Sequence, residues 1–409
     1  MNKLRKLYFI SLFGLLLMPA SSVLAAEGTR YLVKSNSQFW KNAFNARHEF
    51  KDGFTANLND WQVRFAKILG VSIEPVGILQ ILPAGPVELK QGEPEEEVKA
   101  PKTSTKPRLI PSDQISWGME SLYGSSELTS TFGGEGVKVA VIDTGMATNH
   151  PDLKARLSKC KDFTNTRFPV VNGKCEDKNG HGTHVSGIIA ADGGMDGLGI
   201  YGVAPAVGLY AFKACALNGT CYADDLAVAV RTAADDGANI INLSVGSDRS
   251  SALIGGAIDY AISKEVLVVA AAGNDGPYPE SIDYPAAQSS VVAVAAFDPF
   301  FKIADWSSWG INSKTIPLII EEKDMELAAP GVNIESTWNN GGYAVLSGTS
   351  MSAPFVSGLA AKLWADFPLE TENPAQVVRE LLQKNTMDID AIGEDDVSGF
   401  GFSKILSQP

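Results

Sequence analysis

Three short segments bring together the residue types that can turn a hydroxyl into a nucleophile. Val141-Ile142-Asp143-Thr144-Gly145 sets a carboxylate just past an apolar, β-branched run. Asn179-Gly180-His181-Gly182-Thr183-His184-Val185-Ser186-Gly187 supplies two imidazoles at the opening of a helical stretch, and Ser347-Gly348-Thr349-Ser350-Met351-Ser352-Ala353-Pro354 supplies a serine at the opening of another. A serine hydroxyl is a weak nucleophile, so an imidazole must take its proton, and a carboxylate must fix the tautomer of that imidazole and stabilise its protonated form. A serine at a helix start also offers its own backbone N–H to a developing oxyanion. Taken singly the segments say little: Asp-Thr-Gly recurs in unrelated chains, a serine near a helix start is an ordinary cap, and on composition alone His184 serves as well as His181.

The elements around these segments can hold them together. Val137–Ile142, Val207–Phe212, Ile240–Leu243 and Val266–Ala270 are short, continuous apolar runs rich in β-branched residues, and between them lie helical stretches at His184–Ala191, Ala223–Asp236 and Leu253–Ser263. Buried strands alternating with helices predict a parallel sheet covered on both faces. In such sheets functional groups gather where strands end and helices begin, which is where Asp143, His181 and Ser350 fall. The 409 residues and a hydrophobic content of 45% support a full-sized core.

The order Asp, His, Ser and the lengths of the three motifs resemble the subtilisin family of serine proteases, over about Gln114 to Leu406. The resemblance implies an α/β fold, a three-layer, doubly wound, mostly parallel sheet preceded by a small α+β pro-domain, and a serine endopeptidase acting on proteins or peptides. It assigns Asp143 as the triad carboxylate, His181 as the base and Ser350 as the nucleophile, leaving His184 structural. Ala271-Ala272-Gly273-Asn274-Asp275-Gly276 resembles the segment that carries the family's second oxyanion donor, which makes Asn274 that donor. Asn242-Leu243-Ser244-Val245-Gly246 is similar to the substrate-binding strand, so that Ser244, Val245 and Gly246 would face an extended peptide, with Gly219 on the opposite flank. Tyr284-Pro285-Ala286 resembles the back of the first specificity pocket. The preceding residue lies at the pocket floor, where many relatives have glycine and this chain has Asp283; a carboxylate there predicts Lys or Arg before the cut, with Asp224 and Asp225 next in line. Asp152 after His150-Pro151 and the loop Asp196-Gly197-Leu198-Gly199-Ile200 resemble the parts of a structural Ca²⁺ site: the side chains of Asp152 and Asp196, the carbonyls of Leu198 and Ile200, and Gln114 or Asp113. A complete set of such groups argues against a catalytically dead, binding-only copy.

The chain reads as a precursor. Residues 1–26 have the basic start, apolar stretch and small-residue exit of a secretory signal, so the protein is expected outside the cytoplasm, extracellular or periplasmic, with no membrane anchor. Residues 27–82 carry strand-like Tyr31–Val33, Gly53–Leu58 and Val71–Glu74 and helix-like Gln38–Phe50 and Trp61–Leu69, an order similar to the family's inhibitory pro-domain. Residues 83–111 form a Pro- and Glu-rich linker, and Arg108-Leu109 within it offers a candidate maturation bond; residues 112–409 are the catalytic domain, expected as a monomer. The resemblance implies that the chain removes its own pro-segment. Four cysteines in an exported chain suggest disulfides; three pairings are possible, and Cys160 with Cys175 and Cys215 with Cys221 are the local ones. A net charge of −13, with the acid excess past Pro111, disfavours nucleic acid and anionic membranes as partners.

Overall fold

The computed structural model describes residues 29–82, 108–312, 319–366 and 373–405. The expected signal and nearly all of the expected linker lie outside the described residues. Two compact units divide between Gly77 and Ile78.

In the first unit a four-stranded antiparallel sheet runs in the order Glu49–Phe50, Gly53–Leu58, Thr29–Val33, Ile73–Pro75. Val33, Phe44, Phe54, Ala56, Leu58 and Ala66 form its core. Helix Asp60–Ile68 starts where Trp61–Leu69 was expected, held by a capping box in which Asn59 and Gln62 satisfy each other's backbone N–H. The expected Gln38–Phe50 helix is corrected: it ends at Phe44, because Asn45 turns left-handed (φ 52°) and its N–H closes back on the last turn, after which Glu49–Phe50 pairs as a strand.

The second unit is built on a ten-stranded sheet. Its parallel core runs Leu157–Asp162, Gly208–Lys213, Lys138–Asp143, Ile240–Leu243, Leu267–Ala271, Val292–Phe297, Leu327–Pro330. Every residue of strands Ile240–Leu243, Leu267–Ala271 and Val292–Phe297 is buried, as continuous apolar runs require. Leu157–Asp162 escaped the sequence reading because, near the sheet's edge and half-exposed, it carries two lysines and an aspartate instead of an apolar run. Helices His181–Ala190 and Thr349–Asp366 pack together, and Ala223–Asp235 packs on Ala252–Ile262. Successive strands are added on both sides of Lys138–Asp143, so the crevice at the carboxyl end of that strand is the topological switch point. Asp143 is its last residue.

Candidate active site

Asp143 leaves the sheet fully buried and accepts the backbone N–H of Thr144 at 2.6 Å. Its two oxygens lie 2.9 and 3.0 Å from Nδ1 of His181, also buried. The imidazole is placed by the first turn of its helix, and that turn is held by Asp177. One oxygen of Asp177 accepts the N–H groups of Asn179 and Gly180, each at 2.9 Å; the other accepts the N–H and hydroxyl of Thr183 at 3.0 and 2.7 Å. A carboxylate at a helix start satisfies orphan donors and opposes the helix dipole. Gly180 has φ 115°, and a Cβ there would strike the Trp338 ring; only glycine lets the helix begin at His181. With Nδ1 engaged by the carboxylate, Nε2 is the nitrogen free to act, and it is buried without a hydrogen-bond partner.

His184 is excluded as the base. Its Nε2 lies 3.1 Å from the carbonyls of both Ile334 and Ala344, and burial, reinforced by His181, pushes its pKa down to about 3. It is a neutral ring that joins its helix to the Ile334–Thr337 and Tyr343–Leu346 hairpin.

Ser350 is the second residue of helix Thr349–Asp366. Four residues on, Pro354 has no N–H to give the Ser350 carbonyl. That carbonyl accepts instead from Ser244 Oγ at 3.0 Å, while Ser350 Oγ donates to the Ser244 carbonyl at 3.1 Å. Ser244 Oγ is itself held by Asn242 Nδ2 at 3.0 Å, and Asn242 Oδ1 accepts from Ser357 at 2.9 Å. The missing helix bond thus becomes a clamp between Ser350 and the segment 240–246. The Asn in the strand and the Pro four residues past the serine were its visible signals.

Asn274 is oriented without ambiguity. Its Oδ1 accepts both the N–H and the hydroxyl of Thr349 at 3.0 Å, so its amide NH₂ faces the cleft, where it donates to the Leu82 carbonyl at 2.8 Å. Leu82 ends an extended segment, Ile78–Ile81, which fills a three-stranded sheet between Val245–Gly246 and Thr220–Tyr222, antiparallel to both. The Ile81 N–H donates to the Gly219 carbonyl at 3.1 Å. Ser244, Val245 and Gly246 therefore lie on one side of this segment and Gly219 on the other. Arg108 does not: its backbone pairs with Tyr343, so Leu82 and not Arg108 is the residue set at Asn274.

Asp283 is 2% exposed and lies beside the Leu82 side chain: a Cβ on Gly246 would meet both Asp283 Oδ2 and Leu82 Cδ1. Burial, then Asp275 and Asp248, push its pKa up to about 7. Asp224 and Asp225, the alternative acids, are buried in the first turn of helix Ala223–Asp235.

The expected cation loop also assembles. Asp152 is fully buried; its Oδ2 accepts from Ile200 N–H and Tyr343 OH, both at 2.9 Å, and its Oδ1 has no partner. Asp152 Oδ1 and Asp196 Oδ1 both stand about Gly194, and a Cβ on Gly199 would strike Asp152. Gln114 reaches the same loop, its amide donating to the carbonyls of Gly197 and Gly199 at 2.5 and 3.0 Å, while the Ile200 carbonyl accepts from Gly193. The disulfides are the two local pairs, Cys160–Cys175 and Cys215–Cys221; the second closes the loop that carries Gly219.

A doubly wound sheet with a buried Asp–His pair, a serine at a helix start and an amide aimed into a strand-lined cleft defines a serine hydrolase acting on extended peptides. The profile of the subtilase family matches residues 134–401. A subtilisin of Bacillus sp. (strain TA39) is 39% identical over 95% of this chain and 96% of its own length. Subtilisin Savinase of Lederbergia lenta is 38% identical over 60% of this chain and 83% of its own length. Among solved structures, sphericase is 46% identical with a TM-score of 0.69, and the S41 psychrophilic protease 44% identical with 0.68; each match covers 72% of this chain and 99% of the other. The chain belongs to the subtilase family and is a serine endopeptidase. No helix among the described residues is long and apolar enough to cross a membrane.

Proposed function

We propose that this endopeptidase is a secreted precursor that works through Asp143, His181 and Ser350, and that its first substrate is its own chain. The observation that carries the reading is the Leu82 carbonyl, 2.8 Å from the Asn274 amide at the end of a strand seated in the cleft. Ser350 Oγ swings from the Ser244 carbonyl, gives its proton to His181 Nε2 and attacks the Leu82 carbonyl carbon. Asp143 holds the imidazole and stabilises its charged form, and the oxyanion takes a hydrogen bond from Asn274. His181 returns the proton to the leaving nitrogen, that of Pro83, and the acyl-enzyme is hydrolysed by water through the same relay. A proline nitrogen is a bulkier leaving group than a primary amine, so this cut is slow. The freed residues 27–82 are the inhibitory pro-domain, and the linker is trimmed afterwards towards Gln114. One chain contains every group needed, in keeping with a monomer.

Other substrates enter the same cleft as a strand, gripped by backbone bonds to the Val245–Gly246 and Gly219–Tyr222 edges. Asp283 sets the preference before the cut. Leu82 is delivered in cis, at an effective concentration that tolerates a suboptimal side chain. Substrates in trans gain about 1.5–3 kcal/mol from a Lys or Arg paired with Asp283. The Asp152 loop fits a structural Ca²⁺: a buried unpartnered carboxylate oxygen, a second carboxylate on Asp196, the carbonyls of Leu198 and Ile200 and the Gln114 side chain form a hard oxygen set, which would brace the mature N-terminus.

Incubation of the purified protein with denatured casein, with and without a serine-reactive fluorophosphonate, tests the reading. Hydrolysis that stops as Ser350 is labelled is expected; no hydrolysis and no label on Ser350 would overturn it.

A further inference from the structure

Behind the proposed specificity pocket lies an acidic cluster of which the peptide-cutting reading uses only Asp283. Asp248 comes from the loop after Val245–Gly246, and Asp275 and Asp283 from the long connection between Leu267–Ala271 and Val292–Phe297, yet one carboxylate oxygen of each lies within 4.8 Å of the other two. The loops are pinned. Ser247 and Tyr284 exchange both backbone bonds, at 3.0 and 2.9 Å, Asp283 N–H donates to the Ala272 carbonyl at 2.7 Å, and Asp275 N–H donates to Ser308 Oγ at 3.0 Å. Among the described residues no lysine or arginine pairs with any of the three acids; the neighbouring Lys323 pairs with Glu280 at 3.3 Å. The independent sign of a ligand is Asp283 itself. It is 98% removed from solvent, and its Oδ1 is buried with no hydrogen-bond partner. A buried unpaired carboxylate oxygen is costly unless something fills the position beside it. Asp248 and Asp275 are exposed and line a cavity of about 370 Å³ together with Glu280 and Ser281, which leaves room for water ligands on the open side.

We propose that Asp248, Asp275 and Asp283 bind a divalent oxygen-seeking cation of the Ca²⁺ class, separate from the Asp152 loop. Oxygens on opposite sides of Ca²⁺ stand about 5 Å apart, so three carboxylate oxygens within the observed span surround one ion. The set offers neither nitrogen nor sulfur, which disfavours Zn²⁺ and Cu²⁺. Three carboxylates and water make a site of modest affinity, and the ion ties together the two loops that carry these acids. Asp283 Oδ2 stays directed to the pocket.

Calcium titration calorimetry on the full-length Ser350→Ala chain, stripped with EDTA, tests this without reference to proteolysis. Asp248→Asn and Asp275→Asn change exposed side chains. Each is expected to lose one bound equivalent, or to weaken one class of site at least tenfold, while Asp152→Asn affects a different equivalent and Asp152→Asn/Asp275→Asn loses both. An unchanged count and affinity in both Asp248→Asn and Asp275→Asn would overturn the proposal.

Discussion

The catalytic cleft and the back of the specificity pocket treat buried polar atoms differently. In the cleft nearly every such atom has a partner: Asp143 holds His181, Ser244 and Ser350 clasp each other, and Thr349 fixes the Asn274 carbonyl oxygen. The exception is His181 Nε2, the atom that takes the proton in the proposed reaction. At the back of the pocket the exception is Oδ1 of Asp283, which is buried without a hydrogen-bond partner. An unpartnered atom in the cleft belongs to chemistry supplied by the chain, while one in the pocket or in the Asp152 loop waits for a charge from outside. The positive ends that fill these places differ: a transient proton, a substrate cation or a bound ion.

That contrast can be broken or sharpened by removing one partner at a time. Asn274→Leu takes away the donor already seated on the Leu82 carbonyl. It is expected to slow kcat for peptide amides by about 10²–10³-fold, the magnitude known for one oxyanion donor in such proteases, with KM little changed. A change in KM alone would show that the amide binds ground state and transition state alike. Calcium at a hundred times its Kd for the Asp152 loop stabilises by about 2.7 kcal/mol. Melting the Ser350→Ala chain with calcium and with EDTA should therefore show a clear drop in Tm on chelation, and Asp152→Asn should shrink that drop. Equal melting temperatures would contradict the site. Asp283→Gly is expected to remove about tenfold of selectivity for Arg over Leu before the cut, since 1.4 kcal/mol is a factor of ten. Peptide amides differing only at that residue measure it. A native enzyme that prefers Phe or Leu would contradict the role given to Asp283.

Much of the site was legible because its motifs are contiguous. Asp143 closes an apolar strand, His181 and Ser350 open helices, and these boundaries carry their own sequence marks. The four expected parallel strands are present within a residue of their predicted ends. What could not be read depends on distance in the chain. Nothing local to Ile78–Leu82, an apolar run before a proline-rich stretch, says that it will lie between strands more than a hundred residues further on. Asp177 likewise looks like one more surface acid until the turn around His181 closes on it. The gathering of Asp275 and Asp283 with Asp248 needs two loops to converge, and the overlong helix drawn through Phe50 ignored the left-handed turn at Asn45.

The claim that Ser350 attacks the Leu82 carbonyl is tested most directly by purifying and refolding the native and Ser350→Ala chains side by side, free of other proteases, and sequencing the N-terminus of the first fragment. A new terminus at Pro83 in the native chain, with Ser350→Ala folded and uncut, is the result expected. A first cut at Arg108–Leu109, or cleavage of Ser350→Ala at the native rate, would contradict it.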